Sequence, residues 1–247
     1  MVVAMVAHII FPANERREKI EIRRINSCEV SQSWEKLTDT ADLVLPRKIK
    51  EFNGEKLNEL FRKGDAIEIK VGYNGEFNDE FGGYITNVYS NVPVLIHCEN
   101  EMWKLKQKTI SVSLKSATLK ELLQIIAPGY ELDCIDANLG SVLFEQMTPC
   151  AILQQLKDDA GIYSYFKGKT LVSGKIYLDD TEEVNFSFQK DILNNSLEYK
   201  IADDLKLKVI AESTKLNGDK IRVEVGDSEG EERKLAFYNI ESKSELK

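Results

Sequence analysis

The 247-residue chain is 43% hydrophobic and 30% charged, which is typical of a globular protein and excludes a disordered chain or a membrane-spanning segment. Its formal net charge of −8 argues against a protein that clamps nucleic acid, because neutralising phosphates requires clustered Lys and Arg. The length allows one large domain or two to three small ones.

The N-terminal MVVAMVAHIIF superficially resembles the apolar part of a signal peptide, but it lacks preceding basic residues and a small-residue cleavage site. We expect it to form an edge or first strand. The four cysteines, Cys28, Cys98, Cys134 and Cys150, form no C-x-x-C pair. Neither a zinc site nor a disulfide framework is indicated, and a reducing, cytoplasmic origin is favoured.

Residues 1–108 are rich in strand signals. These are short β-branched or aromatic runs separated by Gly, Asn, Asp and Pro: IEI (20–22), ADLVLP (41–46), AIEIKVGY (66–73), GGYITNVY (82–89) and VPVLIHCE (92–99). Asn74-Gly75 predicts a tight turn after the third run. Basic residues at 16–18 and 22–25 alternate with acids and predict a solvated face. Antiparallel strands with one apolar face predict a first split β-barrel domain, since an open sheet would expose its edges.

The pattern changes to helical spacing in the middle of the chain. Thr118 with Glu121 is a capping-box signature before an apolar stripe formed by Leu119, Leu122, Leu123 and Ile126. Thr148-Pro149 starts a second helix, and Gly161 ends it. Short strands are predicted at YELDCI (130–135), SVLFE (141–145), IYSYF (162–166) and KTLVS (169–173). We assign residues 109–179 to a small α/β domain.

Strand signals return in residues 180–247, to which we assign a second, incomplete β-barrel domain. Apolar residues alternate at Val184, Phe186 and Phe188, at Leu205, Leu207 and Val209, and at Ile221, Val223 and Val225 after a predicted Asn217-Gly218 turn. The terminal ESKSELK is typical of the start of a helix. The predicted fold class is therefore α+β, with two antiparallel β-barrel-like domains flanking a small α/β domain.

Two strands of the chain are similar to each other. Gly64-Asp65 followed by Ile67, Ile69, Val71 and Gly72 matches Gly218-Asp219 followed by Ile221, Val223, Val225 and Gly226. Half of these positions show the alternation of any strand, so the bracketing Gly-Asp and Gly carry the similarity. The match is either a chance resemblance or a duplicated β unit on both sides of the middle domain.

The sequence offers few candidates for chemistry. His97 and Cys98 are neighbours on one predicted strand and therefore point to opposite faces, which excludes a nucleophile pair; His8 is the other histidine. His97 and Glu99 share a face but lack a third metal ligand. Paired acids occur at Asp79-Glu80, Glu99-Glu101, Asp133-Asp136, Asp158-Asp159, Asp179-Asp180 and Glu182-Glu183. We predict solvated surface at these pairs, because glycosidases need two acids across a cleft.

Neither the glycines nor the tryptophans indicate a site of chemistry. Glycines form no dinucleotide-binding or Walker loop. Trp34 and Trp103 are interpreted as core or interface packing, and either could anchor a subunit contact. We therefore predict no catalytic, cofactor-binding or metal-binding residues and no enzymatic activity.

Four segments carry a resemblance to a known family: SWEKLTDTADLVLPRKI (33–49), FRKGDAIEIKVGYNGE (61–76), FGGYITNV (81–88) and IHCENEMWKLKQ (96–107). In this order they resemble the first domain of baseplate hub proteins of contractile-tailed phages and prophages, similar to late control D proteins and to type VI secretion spike hubs. The resemblance implies a split barrel, an α/β domain and a second barrel, assembled as a trimeric ring between tail tube and central spike.

The resemblance also implies a partner set and a location. The expected partners are two further copies of the chain and the tube and spike proteins, with no cofactor, no sequence-specific nucleic acid and no membrane insertion. The expected location is the virion tail, assembled in the host cytoplasm.

Two alternatives remain open from the sequence. ATLKELLQII (117–126) and the segment 144–172 are similar to small α/β domains of secretins and outer-membrane receptors, so an envelope adaptor or binding module is the second hypothesis. This segment alone does not choose between the two families, and the flanking predicted barrels favour the phage tail. A carbohydrate-active enzyme using two carboxylates is the third hypothesis.

Overall fold

The computed structural model describes residues 4–46, 60–89, 93–175, 185–189, 192, 194, 206–215, 219–238 and 240–247. The strands are β1 Met5–Phe11, β2 Ile20–Ile22, β3 Ser27–Ser31, β4 Thr40–Leu45, β5 Ala66–Tyr73, β6 Glu76–Tyr89, β7 Val94–Glu99, β8 Ile110–Thr118, β9 Glu131–Cys134, β10 Asn138–Met147, β11 Ser164–Lys167, β12 Thr170–Ser173, β13 Leu207–Thr214, β14 Lys220–Gly226 and β15 Glu231–Tyr238. The helices are α1 Met102–Leu105, α2 Leu119–Ile126, α3 Pro149–Ala160 and α4 Lys243–Leu246.

The chain divides into two compact units. The first contains Met1–Ser111, Leu122–Ile135 and Phe144–Ile176, and the second contains Val112–Glu121, Asp136–Leu143 and Tyr177–Lys247. In the described ranges the fold is predominantly β, and the helices there are few and short.

A seven-stranded antiparallel sheet dominates the first unit, in the order β2-β1-β5-β6-β7-β4-β3. The predicted strands are present, and β1 is an internal strand with two neighbours. Within the described residues β2 and β3 form the two ends of the sheet and do not pair, so the sheet is open where the sequence predicted a barrel. Strand β6 pairs with β5 along its first part and with β7 along its second, with register shifts in both ladders. Such bulges bend and twist a sheet without closing it.

The core of this sheet follows the predicted alternation. Ile67 and Ile69 are buried while Glu68 is exposed, and Leu43 and Leu45 alternate in the same way. With their neighbours they form one cluster: Ile9, Phe11, Ile22, Ala41, Leu43, Leu45, Leu60, Phe61, Ile67, Ile69, Phe81, Ile85, Val94, Ile96 and Cys98. Burying one such aliphatic side chain stabilises the fold by about 1.5–3 kcal/mol.

The helices of the middle segment begin and end where the sequence predicted. The Glu121 amide donates to Thr118 Oγ1 at 3.2 Å and the Thr118 amide donates to Glu121 Oε2 at 2.9 Å, which completes the capping box of α2. Thr148 caps α3 through Ala151 N at 3.2 Å, and Gly161 ends it with φ 64°.

The strands of the middle segment form two small sheets. Strands β11 and β12 form the predicted hairpin, and β12 also pairs in parallel with β9. Strand β8, which the sequence did not predict, pairs with β10, which is longer than the predicted 141–145.

The second unit contains a three-stranded sheet in the order β14-β13-β15, in which β13 and β15 run parallel. Leu207 and Val209 lie in β13 as predicted, and the predicted terminal helix is α4, capped by Ser242. The predicted strand at 184–188 is wrong for residues 185–188, which form no strand and expose Phe186 and Phe188. Val184, Leu205 and the Asn217-Gly218 turn lie outside the described residues.

The two similar Gly-Asp strands lie in different surroundings. Strand β5 has neighbours on both sides and buries Ile67 and Ile69, whereas β14 pairs only with β13 in the described residues and leaves Val225 exposed. After β5 the chain reverses into antiparallel β6. After β14 it instead enters β15, on the far side of β13. The similarity therefore reflects the alternation common to strands, and strand pairing does not support a duplicated unit.

Candidate functional site

Both histidines lie on the outer face of the large sheet beside a carboxylate. His97 Nδ1 is 2.6 Å from Asp42 Oδ1, and His8 Nε2 is 3.0 Å from Glu21 Oε2. Cys98 is buried on the opposite face from His97, as predicted, and burial raises the pKa of its thiol. In the part of the chain that the structure describes, no group of three His, Cys, Asp or Glu could hold a metal ion.

The predicted acid pairs divide into surface and buried members. Asp79 pairs with Lys70 at 2.6 Å, Asp133 with Lys175 at 2.8 Å, and Glu99 with Lys106 at 2.7 Å. Asp158 and Asp159 are exposed on α3. Glu101 is buried, so the prediction of solvated surface is wrong for that residue. The pairs at 179–180 and 182–183 lie outside the described residues.

Both tryptophans pack inside the first unit. The Trp34 ring lies 5.0 Å from Tyr163 in an edge-on contact, and Trp103 stacks on Tyr84 at 5.4 Å. A Cβ at Gly64, where φ is +91°, would lie 3.1 Å from Cη2 of Trp103. The glycine of the first Gly-Asp pair therefore allows both the turn and the close approach of the indole.

The aspartate of that pair holds a buried ionic cluster. Asp65 accepts from Arg16, from Asn14 Nδ2 at 3.3 Å and from the Arg62 amide at 3.0 Å, and Arg17 Nη2 lies 3.8 Å away. Only 7% of the Arg17 side chain is exposed. The prediction of a solvated basic face at 16–18 is therefore wrong for Arg17. Burial lowers the pKa of its guanidinium, and the nearby Asp65 carboxylate offsets only part of this decrease.

The carbonyls around Arg17 explain how the cation is accommodated. Its guanidinium donates to the backbone oxygens of Leu60 at 2.8 Å, Phe11 at 3.3 Å and Pro12 at 3.2 Å. These contacts fasten the loop between β1 and β2 to the segment before β5. Among the described residues Arg17 Nη2 has no hydrogen-bond partner, and its contact with Asp65 at 3.8 Å is therefore an electrostatic one within a structural cluster.

Glu101 forms a second buried polar cluster, here called the tyrosine clamp: Tyr84, Glu101, Lys104 and Tyr130. The Tyr84 hydroxyl donates to Glu101 Oε1 at 2.9 Å, the Tyr130 hydroxyl donates to Oε2 at 2.8 Å, and Lys104 Nζ lies 3.1 Å from Oε2. Tyr84 belongs to β6 and Tyr130 to the loop after α2. One carboxylate therefore connects the large sheet to the middle segment within the first unit.

The clamp makes its phenols difficult to ionise. Burial, followed by the Glu101 carboxylate, raises the pKa of Tyr130, and burial is also the main cause of the raised pKa of Tyr84. Because the neutral phenol is the form favoured by the fold, this contribution is present below about pH 10 and is lost as the pH rises through the folded-state pKa.

We therefore expect the free energy of unfolding to fall as the pH rises above about 10, and to fall less in Tyr130→Phe than in the wild type. Urea denaturation at a series of alkaline pH values measures this. Identical alkaline profiles for the two proteins would contradict a role of Tyr130 in the clamp.

A cleft of about 1060 Å³ lies beside the clamp. Its lining includes Trp34, Asp39, Phe81, Glu101 and the turn between β11 and β12. Burial raises the pKa of Asp39, but Asp39 already accepts from the Ser33 amide at 3.2 Å and from Asn100 Nδ2 at 2.9 Å. Both oxygens of each buried carboxylate are therefore occupied by protein donors, which favours a structural role over acid–base catalysis.

Sequence reasoning missed both polar clusters. Their partners lie far apart along the chain, 48 residues for Arg17 and Asp65 and 29 for Glu101 and Tyr130. The Gly-Asp motif was the available signal for Asp65.

Among the described residues, no helix is long and apolar enough to cross a bilayer.

No family model and no curated protein matches the chain. Solved structures are similar along nearly its whole length. The tail protein from Neisseria meningitidis MC58 matches 98% of this chain and 73% of its own, with a TM-score of 0.60 and 13% identity. The prophage tail protein gp18 from Listeria monocytogenes EGD-e matches 94% and 73%, with a TM-score of 0.53 and 16% identity.

A third similar structure is the 43 kDa tail protein of prophage MuSo2 from Shewanella oneidensis, with 96% of this chain and 74% of its own matched, a TM-score of 0.50 and 17% identity. The chain therefore has a fold found in phage and prophage tail proteins.

Proposed function

We propose that the protein is a structural component of a phage or prophage tail. The observation that carries this is a fold shared over 94–98% of the chain with three tail proteins. The buried carboxylates are consistent with it, because they serve as hydrogen-bond acceptors within the fold. No catalytic role is assigned to any residue.

More specifically, we propose a subunit of a trimeric baseplate hub ring that joins the tail tube to the central spike. The proposed organisation is a region with the open seven-stranded sheet over 1–108, an α/β region over 109–179 and a second β region over 180–247. Within the described residues β2 and β3 each leave one side of the large sheet unpaired, and this supports assembly because an unpaired strand edge can pair with another chain. Obligate contacts of this kind bury about 2,000 Å² or more.

The acidic balance of the chain suits a ring through which DNA passes. With a net charge of −8, a wall rich in carboxylates would repel the phosphate backbone and bind passing DNA weakly. We propose that acids concentrate on the inner wall of the ring. A neutral or basic channel in the assembled ring would refute this part of the proposal.

Electron microscopy of the purified protein tests the ring. We expect class averages with threefold symmetry and a central opening. Compact particles without an opening, at concentrations where the protein is assembled, would contradict the hub assignment.

A further inference from the structure

The first unit exposes an apolar surface with two arginines at one end of the large sheet. Met5 and Tyr73 are paired across β1 and β5 and share a face with the buried Ile9 and Ile69, but they are 82% and 57% exposed. The face of the sheet that is buried at Ile9 and Ile69 is therefore exposed at Met5 and Tyr73. A cavity of about 1320 Å³ opens here and is lined by both residues, by Arg23 and by Arg24, among others.

The two arginines of this surface lack an acidic partner among the residues that the structure describes. Arg23 and Arg24 are exposed, and neither forms an ion pair within the described residues. Glu80 is the only carboxylate among the described residues that line this cavity. We call Met5, Tyr73, Arg23 and Arg24 the basic mouth.

The second unit carries a surface of the opposite charge. Leu207 and Val225 share one face of the three-stranded sheet, since Val209 pairs with Val225 and lies two residues from Leu207. They are 43% and 42% exposed. The adjoining turn, GDSEGEE (226–232), contains four carboxylates and no cation.

Backbone contacts hold this turn against the start of β13. The Asp227 amide donates to Leu207 O at 2.9 Å and the Glu231 amide donates to Lys206 O at 2.7 Å. Gly226 has a φ of 110°, and a Cβ there would lie 2.2 Å from Leu207 O. The carboxylates of Glu229 and Glu231 are exposed and pair with Lys206 and Arg233, at 4.0 and 3.1 Å. We call Leu207, Val225, Glu229 and Glu231 the acidic tip.

We propose that the basic mouth of one copy of the chain receives the acidic tip of a second copy. Each surface combines exposed apolar side chains with an excess of one charge. The mouth carries Arg23 and Arg24 beside the single carboxylate of Glu80, and the turn of the tip carries four carboxylates, three of which also contact Lys206, Lys208 or Arg233. Such a contact joins two different patches, and contacts of this head-to-tail kind form a closed ring when the rotation between neighbouring copies closes on itself. This inference rests on the proposed ring assembly and assigns its contact.

Charge reversal tests the assignment. The variant R23E/R24E makes the mouth acidic and E229K/E231K makes the tip basic, so like charges meet in each and assembly weakens on the order of 100-fold. The variant with all four changes restores opposite charges with the signs exchanged, and we expect it to assemble like the wild type. Sedimentation velocity over a concentration series measures assembly.

Two matched controls carry the same change in charge elsewhere. D158K/D159K on α3 matches the tip variant, and K167E/K169E at the turn between β11 and β12 matches the mouth variant; both should assemble normally. Circular dichroism and urea denaturation of every variant show whether it is folded.

The outcomes separate this inference from the proposed function. If the wild type assembles and either folded reversal assembles equally well, the contact is assigned wrongly while the ring stands. If both reversals dissociate and the fourfold variant does not recover, the two surfaces do not meet each other. A wild type that is monomeric at every concentration overturns the ring and the contact together.

Discussion

Asp65→Ala should destabilise the protein by about 3–5 kcal/mol, because it leaves the buried Arg17 guanidinium without its carboxylate. The loss includes the hydrogen bonds that Asp65 accepts from Arg16, Asn14 and the Arg62 amide. Equilibrium urea denaturation measures the effect as a lower midpoint with an unchanged slope.

Asp79→Ala is the matched control for this change. Asp79 lies in the same sheet and also pairs with a cation, Lys70, but its carboxylate is exposed. Exposed ion pairs contribute little to stability, so its midpoint should stay close to that of the wild type. Equal effects of the two substitutions would show that burial of the Arg17 cluster does not matter for stability.

Glu101→Ala should destabilise the protein by about 3 kcal/mol, since two phenol hydroxyls and one ammonium lose a charged acceptor. Glu101→Gln keeps one acceptor oxygen and should have an intermediate effect. Urea denaturation should rank the wild type as the most stable protein, Glu101→Gln as intermediate and Glu101→Ala as the least stable.

A double-mutant cycle with Tyr130→Phe isolates the contact across 29 residues of chain. We expect the double variant Glu101→Ala/Tyr130→Phe to lose less free energy of unfolding than the sum of the losses in the two single variants. The control is Glu99→Ala, because the Glu99 carboxylate pairs with Lys106 nearer the surface. This substitution should lower the free energy of unfolding by less than about 1 kcal/mol. Additive losses for Glu101 and Tyr130 would mean that the two residues do not act together.

Local features of the fold were predictable from the sequence. The alternation of Ile67, Ile69 and Val71 identified β5, and the caps at Thr118 and Thr148 identified the starts of two helices, because each signal lies within a few residues of chain. Strand β15 was missed because EERKLAFY has no regular apolar alternation. Its pairing with β13 depends on backbone hydrogen bonds between distant segments.

Non-local features were not predictable. The open order of the seven-stranded sheet depends on which strands pair with each other, and the hydrophobic periodicity of a strand does not specify its partner. The burial of Arg17 and Glu101 follows from partners far along the chain, so a basic run and an acidic pair with ordinary surface composition were interpreted as solvated. The repeated Gly-Asp sequence suggested a duplicated unit, but the two strands have different environments. Among the described residues β5 is central in its sheet and β14 lies at the edge of another.

Assembly into a ring of three is the central claim, and the molar mass in solution tests it most directly. Sedimentation equilibrium of the wild-type chain should give three times the 28.1 kDa of one copy at concentrations above the dissociation constant. A mass equal to one copy, or to two, over the whole accessible concentration range would contradict the account.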